Sequence, residues 1–237
     1  MTITIIAGAR PNFMKIAPII EAIQTKRKHG INIKHRLVHT GQHYDKNLSH
    51  TFFEELQSPL PDINLEVESG TQAEQTGAIM IAFEKELKQN PCDLVLVVGD
   101  VTSTMACTIV AKKHRVKVAH VEAGIRSGDM DMPEEINRIV TDSLTDYFFT
   151  TSDYANQNLK TLGISASNIF FVGNVMIDTL LKNESRFKKP SFWNSFKLEP
   201  KKYLVLTLHR PSNVDEENKL KILITKISVL SENYKII

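Results

Sequence analysis

Val116-Lys117-Val118-Ala119-His120-Val121 runs directly into Glu122-Ala123-Gly124-Ile125-Arg126-Ser127-Gly128-Asp129, and Met132-Pro133-Glu134-Glu135-Ile136-Asn137-Arg138 follows within a few residues. The first six residues read as a short buried strand, and Pro133 suits the first turn of a helix. A strand, a charged loop and a helix in this order form the repeating unit of a parallel sheet, whose strand ends deliver the chain to a ligand crevice. Carboxylates and arginines held close together at such an end suggest chemistry. Glu134 and Glu135 sit where the positive end of the helix dipole favours anions, so a carboxylate is presented on a rigid helix start.

The same unit recurs along the chain. Short apolar runs rich in Val, Ile and Phe occur at residues 3–7, 33–39, 94–98, 147–150 and 169–172, with helical patterns between most of them. This βαβα rhythm predicts an α/β fold built on a parallel sheet covered on both faces. Between the second and third runs, residues 59–68 carry two prolines and read as a loop, followed by an amphipathic helix from about 72 to 88.

The rhythm breaks once, from 182 to 202, where Lys188-Lys189-Pro190-Ser191-Phe192-Trp193-Asn194 and Glu199-Pro200-Lys201-Lys202 follow no regular pattern. The expected organisation is therefore a Rossmann-like α/β domain over 1–187, a linker over 188–202 and the start of a second domain over 203–237. That second part reads as a strand at 203–208 leading into His209-Arg210-Pro211, a helix from about 216 to 230 and the opening of another strand at 234–237. One strand, one helix and part of a strand cannot bury a core, so the second domain is expected to be incomplete in this chain.

Composition narrows the class. The chain has 237 residues, 42% hydrophobic and 24% charged, with a net charge of +2. That is an ordinary globular composition with no electrostatic signature for nucleic acid or membranes. Lys26-Arg27-Lys28 and Lys112-Lys113-His114-Arg115 fall near expected helix ends, where cations complement the dipole without a partner. Cys92 and Cys107 are too few for a disulfide framework and wrongly spaced for zinc. With no cleavable leader and no apolar run of membrane-spanning length, a cytosolic protein is expected.

Several strand-end loops carry polar groups. Gly8-Ala9-Arg10-Pro11-Asn12-Phe13-Met14-Lys15 links the first strand to the first helix, whose free N–H groups with Arg10 and Lys15 suit a diphosphate. It has neither the spaced glycines of a dinucleotide fingerprint nor the glycine before lysine of a P-loop. Thr40-Gly41-Gln42-His43-Tyr44-Asp45 sets hydrogen-bonding side chains beside a glycine turn. Gly99-Asp100-Val101-Thr102-Ser103-Thr104 puts Asp100 at the carboxyl edge of the most hydrophobic strand, and His209-Arg210-Pro211-Ser212-Asn213 repeats the arrangement later. Singly, each has a plain structural reading as a turn, a cap or a solvated charge, and Gly173-Asn174 keeps that reading. Together they bring cations for a diphosphate and carboxylates for proton transfer to one edge, which points to a nucleotide-sugar enzyme.

At these residues the chain resembles the non-hydrolysing UDP-N-acetylglucosamine 2-epimerases: Gly8-Ala9-Arg10-Pro11 with Lys15, Thr40-Gly41-Gln42-His43, Gly99-Asp100, His120-Val121-Glu122-Ala123-Gly124, Pro133-Glu134-Glu135-Ile136-Asn137-Arg138, Gly173-Asn174 and His209-Arg210-Pro211. The resemblance implies two Rossmann-like domains of the B-type glycosyltransferase kind, the second incomplete in this chain, and a homodimer at full length. It implies conversion of UDP-GlcNAc to UDP-ManNAc for surface polysaccharide synthesis, with no nicotinamide cofactor and no metal. The implied reaction is anti elimination of UDP to a 2-acetamidoglucal and re-addition of UDP with inversion at C2. By motif, Asp100, Glu122, Glu134 and His209 take catalytic roles. Arg10, Lys15, Gln42, His43, Arg138 and Arg210 fall to substrate binding, Arg10, Lys15 and His209 on the phosphate and leaving-group side.

Two departures from the family pattern qualify this. Members of the family continue through a glycine-rich loop and a paired-glutamate motif that do not occur in these 237 residues, so this stretch by itself is expected to be inactive. Tyr44-Asp45-Lys46-Asn47 replaces the His-Arg-Glu-Met run of members activated by a second substrate molecule, and it resembles relatives acting on UDP-2,3-diacetamido-glucuronate. A B-type glycosyltransferase would share the architecture, but its chemistry needs no carboxylates clustered around C2. A non-catalytic nucleotide-sugar binder fits poorly with three intact acidic positions.

Overall fold

Seven parallel strands form one sheet in the order β3-β2-β1-β4-β5-β6-β7. They are β1 (Thr2–Ala7), β2 (Lys34–His39), β3 (Ile63–Asn64), β4 (Leu94–Val98), β5 (Lys117–Val121), β6 (Tyr147–Thr150) and β7 (Ile169–Phe171). The computed structural model describes residues 1–41, 60–208, 211–232 and 234–237, which fall into two compact units, Met1–Ser185 and Arg186–Ile237. In the first unit the chain builds outward from β1 to β3, then returns to add β4 on the other side of β1. The order reverses between β1 and β4, and that reversal opens the crevice where α/β sheets bind ligands.

Strand alternation sorts the core onto two faces. Ile5, Ala7, Leu96, Val98, Ala119 and Val121 pack with Phe13, Ile16 and Ile20 of α1 (Arg10–Lys28) on one side. Ile6, Val38, Val95, Val97 and Val118 pack on the other side with Ile79 and Phe83 of α2 (Gln72–Gln89) and Cys107 and Val110 of α3 (Thr102–Lys113). Ile5, Phe83 and Val95 are wholly buried, and each such side chain stabilises the fold by roughly 1.5–3 kcal/mol. The α/β class expected from the sequence is the class observed.

Local signals explain the helix ends. Thr71 caps α2: its hydroxyl accepts the Glu74 N–H at 3.3 Å while Glu74 Oε2 accepts the Thr71 N–H at 2.9 Å, a reciprocal capping box. Lys26, Arg27 and Lys28 fill the last turn of α1, and Pro133 opens α4 (Pro133–Leu144) with Glu134 and Glu135 in its first turn. Helices α5 (Asp153–Thr161) and α6 (Val175–Asn183) begin at side-chain caps from Ser152 and Asn174.

The structure departs from the sequence reading at β3, inside the stretch read as a loop. Ile63 and Asn64 pair with Val38 and His39. Asp62 fixes that register, because its N–H donates to the Leu37 carbonyl at 2.9 Å and its carboxylate accepts the Leu37 N–H at 2.7 Å. Two residues after a proline are too short for alternation to register.

In the second unit, β8 (Tyr203–Leu204) and β9 (Lys235–Ile236) pair in parallel around α9 (Glu217–Ser228). The strand read at 203–208 contracts to two residues, with one further ladder bond from Leu206 N–H to the Ile237 carbonyl at 2.8 Å. The stretch read as a linker carries the short helix α7 (Phe192–Ser195), whose Trp193 meets Tyr203 edge-on at 5.3 Å. A four-residue helix, α8 (Pro211–Val214), precedes α9. Among the described residues, no helix is long and apolar enough to cross a membrane.

Candidate active site at the sheet switch point

The loops leaving β1 and β4 abut at the reversal point. A Cβ on Gly8 would lie 1.7 Å from Ser103 Oγ, so only glycine lets the two loops come this close. Asn12 organises the turn from the third residue of α1: its Oδ1 accepts the Gly8 and Ala9 N–H groups at 3.0 and 2.9 Å, and its Nδ2 donates to the Val98 carbonyl at 3.2 Å. The sequence suggested that free N–H groups here would form an anion site. Asn12 takes the N–H of Ala9, which caps the helix, and that of Gly8 before it, and Pro11 has none, so the cationic side chains gain weight as the attraction for an anion.

Lys15 supplies one. Its Nζ lies 2.5 Å from Glu122 Oε2, with both side chains almost wholly buried. Gly99 forms the wall beneath this pair, since a Cβ there would sit 3.4 Å from Lys15 Nζ and 3.5 Å from Glu122 Oε2, and its φ is +70°. Glu122 itself stands at φ +69°. For a residue with a side chain that conformation costs on the order of 1–3 kcal/mol and persists only where surroundings hold it. Here the Phe149 carbonyl accepts the N–H groups of both Glu122 and Ala123, at 3.0 and 3.1 Å.

Asp100 follows Gly99 at the end of β4. Its carboxylate accepts a short hydrogen bond from Arg138 Nη2, and its carbonyl accepts one from Asn137 Nδ2 at 2.8 Å. Arg138 uses its other arm, Nη1, on Glu135 Oε2 at 2.9 Å. Glu135 also accepts the Ser127 N–H at 2.9 Å, the Ser127 hydroxyl at 3.0 Å and the Gly128 N–H at 3.2 Å. Burial pushes the Glu135 carboxyl up, but the Ser127 N–H, Arg138 and the remaining donors outweigh it and bring it down to about 2. Glu135 is thus a permanent anion that anchors the loop after β5. Its neighbour Glu134 is exposed and makes no hydrogen bond or ion pair among the described residues, so it is available to a ligand.

A buried polar cluster lies behind these groups. His120 on β5 places Nδ1 2.7 Å from Asp142 Oδ1 and Nε2 2.8 Å from the Gly99 carbonyl. Asp142 Oδ2 accepts the Gly124 N–H at 3.1 Å and Arg126 Nη1 at 2.7 Å. Burial pushes the Asp142 carboxyl up, yet His120 and then Arg126 hold it below the usual carboxylate range.

The structure therefore brings Lys15, Asp100, Glu122 and Arg138 to the carboxyl ends of β1, β4 and β5, with Glu134 at the start of α4. Arg10 is the first residue of α1. Gln42, His43, His209 and Arg210 lie outside the described residues. Sequence reasoning named Glu135 at the helix start and Arg126 in the charged loop without giving either a role, and it missed Asp142 and the role of His120. One signal was available: Glu135, Arg138 and Asp142 recur at i, i+3 and i+7, a polar stripe along one face of α4. Among the described residues, no group of three or more His, Cys, Asp or Glu side chains could hold a metal ion.

Comparison with known proteins decides the family. The family model described as UDP-N-acetylglucosamine 2-epimerase matches residues 24–237. The chain belongs to the UDP-N-acetylglucosamine 2-epimerase family. A relative of that name from Methanocaldococcus jannaschii is 42% identical over 99% of this chain and 63% of its own length. A UDP-2,3-diacetamido-2,3-dideoxy-D-glucuronate 2-epimerase from Pseudomonas aeruginosa is 37% identical over 98% of the chain and 64% of its own. The crystal structure of M. jannaschii UDP-GlcNAc 2-epimerase in complex with UDP-GlcNAc and UDP superimposes with a TM-score of 0.85 at 41% identity, covering all of this chain and 65% of that one. The chain thus spans less than two thirds of the length of these family members.

Proposed function

We propose that the whole protein interconverts UDP-GlcNAc and UDP-ManNAc by eliminating and re-adding UDP. The observation that carries this reading is the Lys15–Glu122 pair beside Asp100 at the switch point in a chain of the 2-epimerase family. A carboxylate takes the C2 proton, the C1–O bond breaks with its electron pair passing to the β-phosphate of UDP, and a C1–C2 double bond forms. Return of UDP to C1 and of a proton to the opposite face of C2 completes the inversion. Two or more carboxylates on different loops suit a reaction that needs a base on one face and an acid on the other. Asp100, Glu122 and Glu134 share these roles, one carboxylate serving as base on one face and another as acid on the opposite face.

The cations serve the leaving group. Lys15 in the free protein is neutralised by Glu122; an incoming diphosphate competes for its ammonium and gains from it as charge builds on departing UDP. By motif, Arg10 and His209 are assigned to the leaving group as well, and Gln42, His43 and Arg210 to substrate binding. Arg138, already paired with Asp100, holds that carboxylate in place and adds positive charge. No nicotinamide and no metal enters this scheme. The working protein is proposed to be a cytoplasmic homodimer that acts on UDP-sugars and has no nucleic-acid or membrane partner.

A second reading, 2-epimerisation of a UDP-2,3-diacetamido sugar acid, is supported by the similar identity to the P. aeruginosa relative. Incubating the whole protein separately with each UDP-sugar and no acceptor distinguishes the readings. Appearance of UDP-ManNAc in the NMR spectrum supports the first, and turnover of only the uronate supports the second. Absence of any C2 epimer from either would refute both, and would favour a glycosyltransferase that needs an acceptor.

A further inference from the structure

We propose that His120 is a positioning residue: clamped between the Asp142 carboxylate and the Gly99 carbonyl, it sets the spacing of the Asp100 and Glu122 carboxylates without touching substrate. The inference rests on the epimerase reading of the switch-point site. Both ring nitrogens of His120 face acceptors, Asp142 Oδ1 at 2.7 Å and the Gly99 carbonyl at 2.8 Å. The Gly99 carbonyl can only accept, so Nε2 carries a hydrogen, while Nδ1 faces the Asp142 carboxylate, and the ring is held from both ends.

Those bonds end beside each of the two carboxylates. Gly99 immediately precedes Asp100, and its N–H donates to the Val121 carbonyl at 3.0 Å. Val121 immediately precedes Glu122. Asp142 then takes the Gly124 N–H and Arg126 with its second oxygen, gripping the loop that leaves Glu122. A single buried cluster thus holds the chain before Asp100 and on both sides of Glu122. Glu122 is left-handed at φ +69°, and in a residue with a side chain that conformation persists only where neighbours hold it.

Holding the sheet together does not need this cluster. Strands β4 and β5 already pair over five residues, and Val98, Ala119 and Val121 around them are apolar and buried. An aliphatic residue at position 120 would serve a parallel strand as well, without the desolvation of a buried His, Asp and Arg. The polar cluster serves precision at the strand ends.

Two variants of the whole protein separate the two bonds. The amide nitrogen of His120→Gln can occupy the Nε2 position and keep the bond to Gly99. That of His120→Asn can occupy the Nδ1 position and keep only the bond to Asp142. The proposal expects kcat per folded molecule, counted by titration with UDP, to fall about 10- to 100-fold in His120→Asn with KM within about threefold of wild type. It expects His120→Gln to recover at least about fivefold of that loss. Wild-type kcat in both, or a loss seen only in the melting temperature or only in KM, would overturn it.

Should both fail to fold, Asp142→Asn, which keeps its size and an acceptor for Nδ1, carries the test. At least a fivefold loss of kcat at unchanged KM supports the proposal there, and wild-type kcat overturns it. A wild-type protein inert towards UDP-sugars overturns the function and this inference together. An active wild type with indifferent variants overturns the role of His120 alone.

Discussion

Lys15 on the first helix and Glu122 after the fifth strand meet at 2.5 Å across a sequence separation of 107 residues, with Gly99 from a third loop closing the space beneath them. Lys15→Ala in the whole protein should remain folded, because neither Lys15 nor Glu122 belongs to the apolar clusters that hold the sheet and its helices together, while turnover falls by roughly two to three orders of magnitude. Arg10→Ala should lose rate in the same way, with Arg10→Lys recovering little because lysine cannot reproduce the guanidinium fork. Steady-state kinetics beside a melting curve check both. Wild-type rates in Lys15→Ala would reduce the pair to a structural contact.

Asp100→Asn, Glu122→Gln and Glu134→Gln should each lower kcat by roughly two to four orders of magnitude. Asp100→Asn should also loosen Arg138, which then retains only Glu135 among its two carboxylate partners. Near-normal turnover in all three variants would remove the carboxylates from the chemistry.

Gly8→Ala should destabilise the first unit. Its Cβ would fall 1.7 Å from Ser103 Oγ and 3.0 Å from Ser103 Cβ, an overlap that forces the two loops apart at a cost of about 1–3 kcal/mol. Adding Ser103→Gly should return part of the lost melting temperature. An unchanged melting temperature in Gly8→Ala would contradict the close approach of these loops.

Glu135 gives a pH signature. Its carboxyl is depressed from 4.5 to about 2 in the folded protein, so its contribution is fully present above pH 4.5 and is lost as pH falls towards 2. The size is on the order of 3 kcal/mol. Denaturant titrations of wild type and Glu135→Gln should differ most near pH 7 and converge at about pH 2. A difference that does not shrink with acid would mean that Glu135 acts through shape alone.

Much of this was legible in the sequence because the decisive residues stand beside strong local signals. Asp100 and Glu122 follow buried apolar runs, and Pro133 marks the start of the helix that carries Glu134. What was not legible lies in tertiary pairing. The inward face of α4 is polar, with Glu135, Asn137, Thr141 and Asp142 buried, while Ile136 and Ile139 are exposed at 45% and 39%. Hydrophobic periodicity alone would turn that helix the other way. The His120 contact with Asp142 spans 22 residues, and nothing in the spacing of either announces the other. At Asn12 the sequence showed a helix opener, but that its side chain would take the Gly8 and Ala9 N–H groups depends on side-chain geometry.

In the proposed reaction, carboxylates at the switch point carry out proton transfer at C2. The most direct test of this is to run the whole protein with UDP-GlcNAc in D2O and follow the sugar protons by NMR. Removal of the C2 proton and its return from the opposite face predicts UDP-ManNAc carrying deuterium at C2, with the exchange lost in Glu122→Gln or Asp100→Asn. Epimer formed with protium retained at C2 would contradict the account and point to oxidation and reduction at another carbon.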